Sequence, residues 1–453
     1  MRKMLRNTGT LTLLAVAAAT ASAQASSVTL YGLIDAGLEH ADSGDVSVKR
    51  LSSGISAGSR WGVKGTEVLN PGWKALFTLE SRFETDNGSM QNAGSVYTCG
   101  TPANCPGVVL TAPYTGLPVL TQAALLAGTQ AVNDAAMKLA SSVNTANALF
   151  DRQAYVGLVT PVGAVLFGRQ YTPGYEVLVK FNAFADGFAG SPAQLSQTTI
   201  RVSNALHYRA ELGGFVGSLM WGLGGTETNR NERGAPQSGD DFYGLNLQYN
   251  TEAYGLGAAY NRNNTVTYAA PTQSKKGLET ISLGGTVTLG SVKLFTSYLR
   301  AKNDNPVFSP GDIMGLVATP GATLASITTI VGGQYIGRGD VDGLRGVVGP
   351  VNLKVFHLGL QWTVPSGTVQ LAYNQAKDTA RSAWATADAK VGQLGVAYLH
   401  TLSLRTQLYA GAAVANNKGQ ARAALGGAGY LGGLTTGQGV DSRVVQLGVR
   451  HAF

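Results

Sequence analysis

The sequence is short of charge, of sulfur and of long apolar runs, and each shortage excludes something. Asp, Glu, Lys and Arg make up 13% of the 453 residues, about half the share of an ordinary soluble domain, which does not suit a fully solvated surface. Cys99 and Cys105 are the only cysteines, so disulfides cannot hold up a fold of this size. Beyond residue 25 no stretch approaches the roughly 18 apolar residues of a spanning helix. No run of basic residues marks a nucleic-acid surface, despite a formal net charge of +8. The five histidines, His40, His207, His357, His400 and His451, sit in no nucleophile-elbow or metal-ligand motif. Neither catalysis, a metal nor a cofactor is therefore expected.

What is present starts with the leader. Residues 1–25 carry Arg2, Lys3 and Arg6, an apolar run from Leu11 to Ala19, and small residues at Ala21, Ala23 and Ala25. The pattern is that of a secretory signal peptide, with cleavage expected before Gln24 or Ser26. Residues 26–453 then form the mature chain. Glycine is abundant, at 60 residues, and mean hydropathy is near zero, as alternating strands would give.

Period-2 alternation recurs along that chain. Tyr243, Leu245, Leu247 and Tyr249 oppose Gly244, Asn246 and Gln248; Ile281, Leu283, Val287 and Leu289 oppose Thr280, Ser282, Thr286 and Thr288; Val369, Leu371 and Tyr373 oppose Gln370, Ala372 and Asn374. Alternation persists through Val445, Leu447, Val449, His451 and Phe453 to the last residue, where a terminus would normally fray. Short turns at 70–73, 160–163, 212–215, 250–254, 289–291, 364–367 and 400–403 alternate with longer segments at 41–56, 86–149, 172–198, 225–239, 265–275, 304–350, 379–389 and 417–440. Sandwiches and propellers do not require that rhythm. A transmembrane antiparallel β-barrel of sixteen strands does, with short periplasmic turns, long extracellular loops, an apolar face on lipid and a polar face on a lumen. Closure pairs the first strand with the last and leaves no edge. Tyr31, Trp61, Trp73, Tyr155, Trp221, Tyr243, Trp362, Tyr373 and Tyr398 near strand ends are expected in interfacial girdles. The Ala-rich run within 122–150 has apolar residues near helical spacing.

The segments SSVTLYGLIDAGLEH, GSRWGVKGTE, GWKALFTLESRF, RQAYVGL, FGRQYTP and the terminal GVRHAF, in that order, resemble the general porins of beta-proteobacteria. That resemblance covers essentially the whole mature chain. It implies homotrimers in the outer membrane, contact with lipid and lipopolysaccharide, a third loop folded into the barrel, and a final aromatic, here Phe453, read by the barrel-insertion machinery. The long 86–149 and 304–350 loops depart from the family pattern. Cys99 and Cys105 are expected to pair there in an oxidising compartment; a metal site would need a further His or Cys nearby.

Strand parity selects the lumenal charges. Arg60 and Lys64 oppose Trp61 and Val63; Lys74, Glu80 and Arg82 oppose Trp73, Phe77 and Leu79; Arg201, His207 and Arg209 oppose Ile200, Val202, Leu206 and Tyr208. Lys293, Arg405 and Arg450 are inward by the same test. The resemblance adds Arg152 and Arg169, although parity groups both with apolar neighbours. It also sets the basic wall opposite acids of the third loop, Glu176 and Asp186. The expected constriction thus has Arg60, Lys64, Lys74, Arg82, Arg152, Arg201 and Arg209 as its basic wall and Glu80, Glu176 and Asp186 as its acidic side. That balance points to passive diffusion of small hydrophilic solutes with a preference for anions. A substrate-specific channel, and a plugged barrel serving as an adhesin or enzyme, are the competing readings.

Overall fold

The fold is given by a computed structural model, which describes residues 26–44, 46–90, 92, 93, 142, 143, 148–185, 187–223, 241–267, 270–305, 315, 321, 341–382, 385–426 and 437–453. Seventeen strands form one antiparallel sheet. They are β1 (Ser27–Ser43), β2 (Val46–Ser53), β3 (Arg60–Asn70), β4 (Trp73–Arg82), β5 (Gln153–Thr160), β6 (Gly163–Tyr171), β7 (Arg201–Leu212), β8 (Phe215–Gly222), β9 (Phe242–Asn250), β10 (Tyr254–Thr267), β11 (Ala270–Leu289), β12 (Val292–Asn303), β13 (Val351–Val364), β14 (Gly367–Asp378), β15 (Ala389–Thr401), β16 (Thr406–Gly419) and β17 (Ser442–Ala452). Strands β2 and β3 pair with successive halves of β1, Ser53 opposite Ala36 and Arg60 opposite Leu33. They share one position, so the barrel has sixteen.

It closes where β17 pairs with β1, from Leu33–Ala452 to Asp42–Arg443. Gly32 and Phe453 then exchange both backbone hydrogen bonds, each 3.1 Å. This explains the alternation to the final residue: the terminus is a rung of the seam. Along β17 Val445, Leu447, Val449 and Phe453 are exposed on the outside, while Val444 and Gln446 are buried inside. On β14 Leu371 and Tyr373 point out, and Gln370, Ala372 and Asn374 point in.

Two expected loops turn out otherwise. Strands β10 and β11 run on to Thr267 and Ala270, so most of 265–275 is strand. The segment 41–56 is mostly a hairpin of β1 and β2, after which residues 54–59 turn inward. Asp35 holds that turn: its Oδ2 accepts from the amides of Ser56 (3.0 Å) and Ala57 (2.9 Å), and its Oδ1 from the Tyr409 hydroxyl (2.6 Å). The Ala-rich run within 122–150 lies almost wholly outside the described residues.

The third loop folds into the barrel. Helix α1 (Pro173–Lys180) opens it, capped by Thr172, whose side chain accepts from the Tyr175 amide. Beyond α1 the loop is tied to the inner wall by uncharged groups. His357 Nε2 meets the Ala183 amide at 3.2 Å. Gln361 and Gln370 donate to Ala183 O at 2.6 and 3.0 Å, and Asn374 donates to Gly190 O at 2.7 Å. Wall glycines make the room. A Cβ on Gly284 would lie 2.4 Å from Phe181, and one on Gly395 would lie 2.3 Å from the Gly190 Cα. Loop three is therefore tethered chiefly to the side of the lumen formed by the later strands.

A candidate constriction between loop three and the basic wall

The register places the predicted charges of β3 and β4 together on the wall across from those tethers. Arg60 stands opposite Arg82, Gly62 opposite Glu80 and Lys64 opposite Thr78, all on the inner face. Arg152 joins them because it lies in the bend before β5, outside the pleat that parity describes. Its Nε donates to Glu80 Oε1 at 2.7 Å, and both side chains are buried. Arg60 Nε is 3.9 Å from the other Glu80 oxygen. Glu80 thus sits within the basic wall rather than across from it. Removing one partner from such a buried pair costs roughly 3–5 kcal/mol.

Two further clusters continue the wall. Arg82 donates from Nε to Asp151 Oδ2 at 3.0 Å, and its Nη1 reaches Glu84 at 4.0 Å. The Tyr171 hydroxyl accepts from Arg152 (2.8 Å) and Arg201 (2.9 Å). The Tyr171 ring lies under the Arg201 guanidinium at 4.5 Å and stacks on Tyr175 of α1 at 5.1 Å. Arg209 donates to Glu176 Oε2 at 2.6 Å, an oxygen that also accepts from Asn246 at 3.0 Å. The loop-three acid is therefore held on the wall by an arginine. Lys180 follows Glu176 by one turn of α1 and lies in electrostatic reach of Lys293 and Arg209.

Lys74 lies apart, at the start of β4 beside the turn at 71–72. It is six residues from Glu80, or roughly 20 Å of strand. Asp186, Cys99 and Cys105 lie outside the described residues. Arg169 braces the base of the second loop, donating to Asp151 O at 2.6 Å and to Ser203 Oγ at 2.9 Å. Arg450 faces inward towards Ser56 (3.3 Å), whereas Arg405 is in the turn before β16. His207 is buried against Gln170, and His451 is outside, against Thr406. Val202 faces the interior with Ala205 and Met220, because a bulge opposite Gly168 and Gln170 reverses the pleat.

Parity misplaces nothing at Tyr31 and Tyr155, but their aromatic character misleads. Both face the lumen instead of joining a girdle. Tyr31 donates to Glu80 Oε2 at 3.1 Å with Lys64 5.1 Å over its ring. Tyr155 lies in reach of Glu80, Glu176 and Arg209, between the two ion pairs. The stretch Gly54-Ile55-Ser56-Ala57-Gly58 matches the G-x-S-x-G spelling of a nucleophile elbow. It joins two strands rather than a strand and a helix, and Ser56 is buried, tethering the inward turn. Among the described residues no group of three His, Cys, Asp or Glu side chains is arranged to hold a metal ion.

Comparison with known proteins fits this architecture. The outer membrane porin protein 32 of Delftia acidovorans is 25% identical over 454 residues, covering 97% of this chain and 98% of that protein. A solved anion-selective porin from Comamonas acidovorans superposes with a TM-score of 0.63 at 21% identity, covering 94% of this chain and all of that one. OmpT of Vibrio cholerae, in a trimer form, gives 0.54 at 13% identity, with 95% of this chain and 100% of that one covered. The family model for Gram-negative porins matches residues 10–420, and with a closed barrel constricted by its third loop the chain belongs to the Gram-negative porins.

Proposed function

We propose that this porin is an anion-preferring, trimeric channel for passive diffusion of small hydrophilic solutes across the outer membrane, exported by a signal peptide over residues 1–25. One observation carries the preference. Among the described residues, the predicted acids of the constriction are each engaged by an arginine, Glu80 by Arg152 and Glu176 by Arg209, while Arg60, Lys64, Lys180 and Arg201 add further positive charge to the same passage. A net-positive throat lowers the entry energy of anions and raises that of cations. The anion-selective porin from Comamonas acidovorans and the trimer form of OmpT support the reading.

The test is the zero-current potential of the purified protein in a planar bilayer under a dilute potassium chloride gradient. Its sign is expected to report chloride as the more permeant ion, and an unheated gel should show an oligomer that heating converts to monomer. A channel preferring potassium would defeat the anion assignment, and a monomer in mild detergent would defeat the trimer.

The preference should also depend on pH through Glu84, at the base of the second loop. Burial pushes its carboxyl up to about 7, against the pull of Arg82, with Asp86 and Asp151 adding to the rise. Above that pH Glu84 is charged and offsets Arg82; below it the group is neutral and the wall gains one net positive charge. Anion preference is therefore expected to rise between pH 8 and pH 6. Glu84→Gln should remove that rise, and an unchanged slope in the variant would assign it elsewhere.

A further inference from the structure

The extracellular mouth is partly filled by the tip of a small hairpin that ends the sixth loop, just before β13. Residues 341–348 form a small hairpin, Val341–Asp342 paired with Val347–Val348, and turn left-handed at Gly346. The tip enters the mouth over the return limb of loop three. Leu344 packs in one apolar cluster with Leu195 of loop three, Leu353, Val391 and Leu425. The Gly343 amide donates to Gln197 Oε1 at 3.4 Å, and Leu344 O accepts from the Arg422 amide at 2.9 Å.

At the centre of this tip is Arg345, whose side chain is 2% exposed. Its Nη1 bonds Asp342 Oδ2 and lies 3.0 Å from Asp378 Oδ1. Its Nη2 donates to Asp378 O (3.1 Å) and Ala387 O (2.9 Å). One guanidinium thus ties the sixth loop to the end of β14 and to the seventh loop. Asp342 Oδ1 meanwhile accepts from the Leu344 amide at 3.0 Å and shapes the turn. Burial and the charge of Asp378 hold the Asp342 carboxyl well above the usual carboxylate range, against Arg345, and among the described residues both carboxylates pair with that one cation.

We propose that Arg345 is a positioning residue of the channel: it locks the sixth-loop tip into the mouth above loop three and so confines entry to the basic side of the barrel. The nearer part of loop three has its own wall tethers at Ala183 and Gly190. The return limb around Leu195 and Gln197 is instead covered by the tip, so the tip decides how much of the mouth solutes can use. Losing the cation leaves the buried Asp342–Asp378 pair with uncompensated negative charge, even where Asp342 takes up a proton, which expels the tip, whereas neutralising the whole triad restores balance.

This inference rests on the channel reading, and the experiment separates the two. Arg345→Met and the triple variant Asp342→Asn, Arg345→Met, Asp378→Asn are compared with the wild type. The readouts are unitary conductance and liposome swelling with sugars of increasing size. Arg345→Met is expected to raise conductance on the order of twofold and to admit larger sugars, and the triple variant to return both to the wild-type values. If Arg345→Met does not assemble, Asp342→Asn with Asp378→Asn leaves the cation unbalanced in an isosteric site and should show the same gain. A conducting wild type with assembled variants of unchanged conductance and cut-off overturns the proposal. So does a triad whose loss blocks assembly in both unbalanced variants, since it would then hold the fold rather than the mouth. A silent wild type removes the channel reading and the proposal together.

Discussion

Glu176→Gln should make the channel more anion-preferring, and Arg209→Gln should make it less so by more than Arg60→Gln does. The two residues form one pair at 2.6 Å, and most of their field cancels at a distance. Removing the carboxylate leaves Arg209 with Glu211 alone, 3.4 Å from its Nε, and so exposes more of its charge to the passage. Removing the guanidinium exposes a carboxylate instead, which attracts potassium where chloride must pass. Arg60 is more loosely placed, 3.9 Å from Glu80, and Glu80 keeps Arg152 when Arg60 is lost. Screened charge pairs at partly exposed sites are worth ~0.5–1 kcal/mol. Each substitution is therefore expected to move the chloride-to-potassium permeability ratio by roughly two- to fivefold, read from zero-current potentials. The differences should shrink in molar salt, where the screening length falls from about 8 Å to about 3 Å. Equal shifts for Arg209→Gln and Arg60→Gln would mean that the pairing with Glu176 has no part in selectivity.

Deleting Phe453 should lower the amount of folded protein in the outer membrane by about an order of magnitude while leaving export intact. The residue closes the seam with two backbone bonds to Gly32. Its ring covers the outer face of Gly32 so closely that a Cβ there would lie 2.2 Å from it. Without it, the amide and carbonyl of Gly32 face the membrane boundary unpaired, where each unmet group costs several kcal/mol. Gly32→Val keeps the terminal residue but displaces its ring, and should reproduce the defect in milder form. Membrane fractionation with heat-modifiable gel migration measures both. Wild-type levels of the truncated, folded barrel would show that Phe453 is dispensable for assembly.

Much of this was legible in the sequence because a lipid-facing barrel writes its two faces into alternate residues. The inward set on β3 and β4 and the outward set on β17 follow from parity alone. Parity failed where the backbone leaves the pleat. Arg152 sits in a bend, and Val202 precedes a bulge, so neither obeys its neighbours. The extension of β10 and β11 to Thr267 and Ala270 was hidden for another reason: Asn263, Asn264, Thr265, Lys275 and Lys276 carry no apolar alternation. The infolding of loop three was expected only from the family resemblance, and its anchors were invisible, being Asn, Gln and His on distant strands and glycines such as Gly284 and Gly395. A missing side chain says nothing in sequence about what will fill its place. The Glu176–Arg209 pair joins groups 33 residues apart through a helix that folds back on the wall, which strand reading alone does not bring together.

The placement of loop three has a consequence for the order in which the barrel is built. The Phe188 amide donates to Ile55 O at 2.7 Å, just past the first hairpin. The neighbouring Ala189 amide donates to Gln446 on the last strand at 3.4 Å. Adjacent residues of one loop therefore grip both flanks of the seam, across a sequence separation of 257 residues on one side. Contacts so distant along the chain are the slowest to form. A loop already lodged on the inner wall would present both flanks with matching bonds, as a mandrel around which the sheet is wrapped. With Phe181, Phe184 and Phe188 buried against the wall, loop three is expected to dock before the seam shuts.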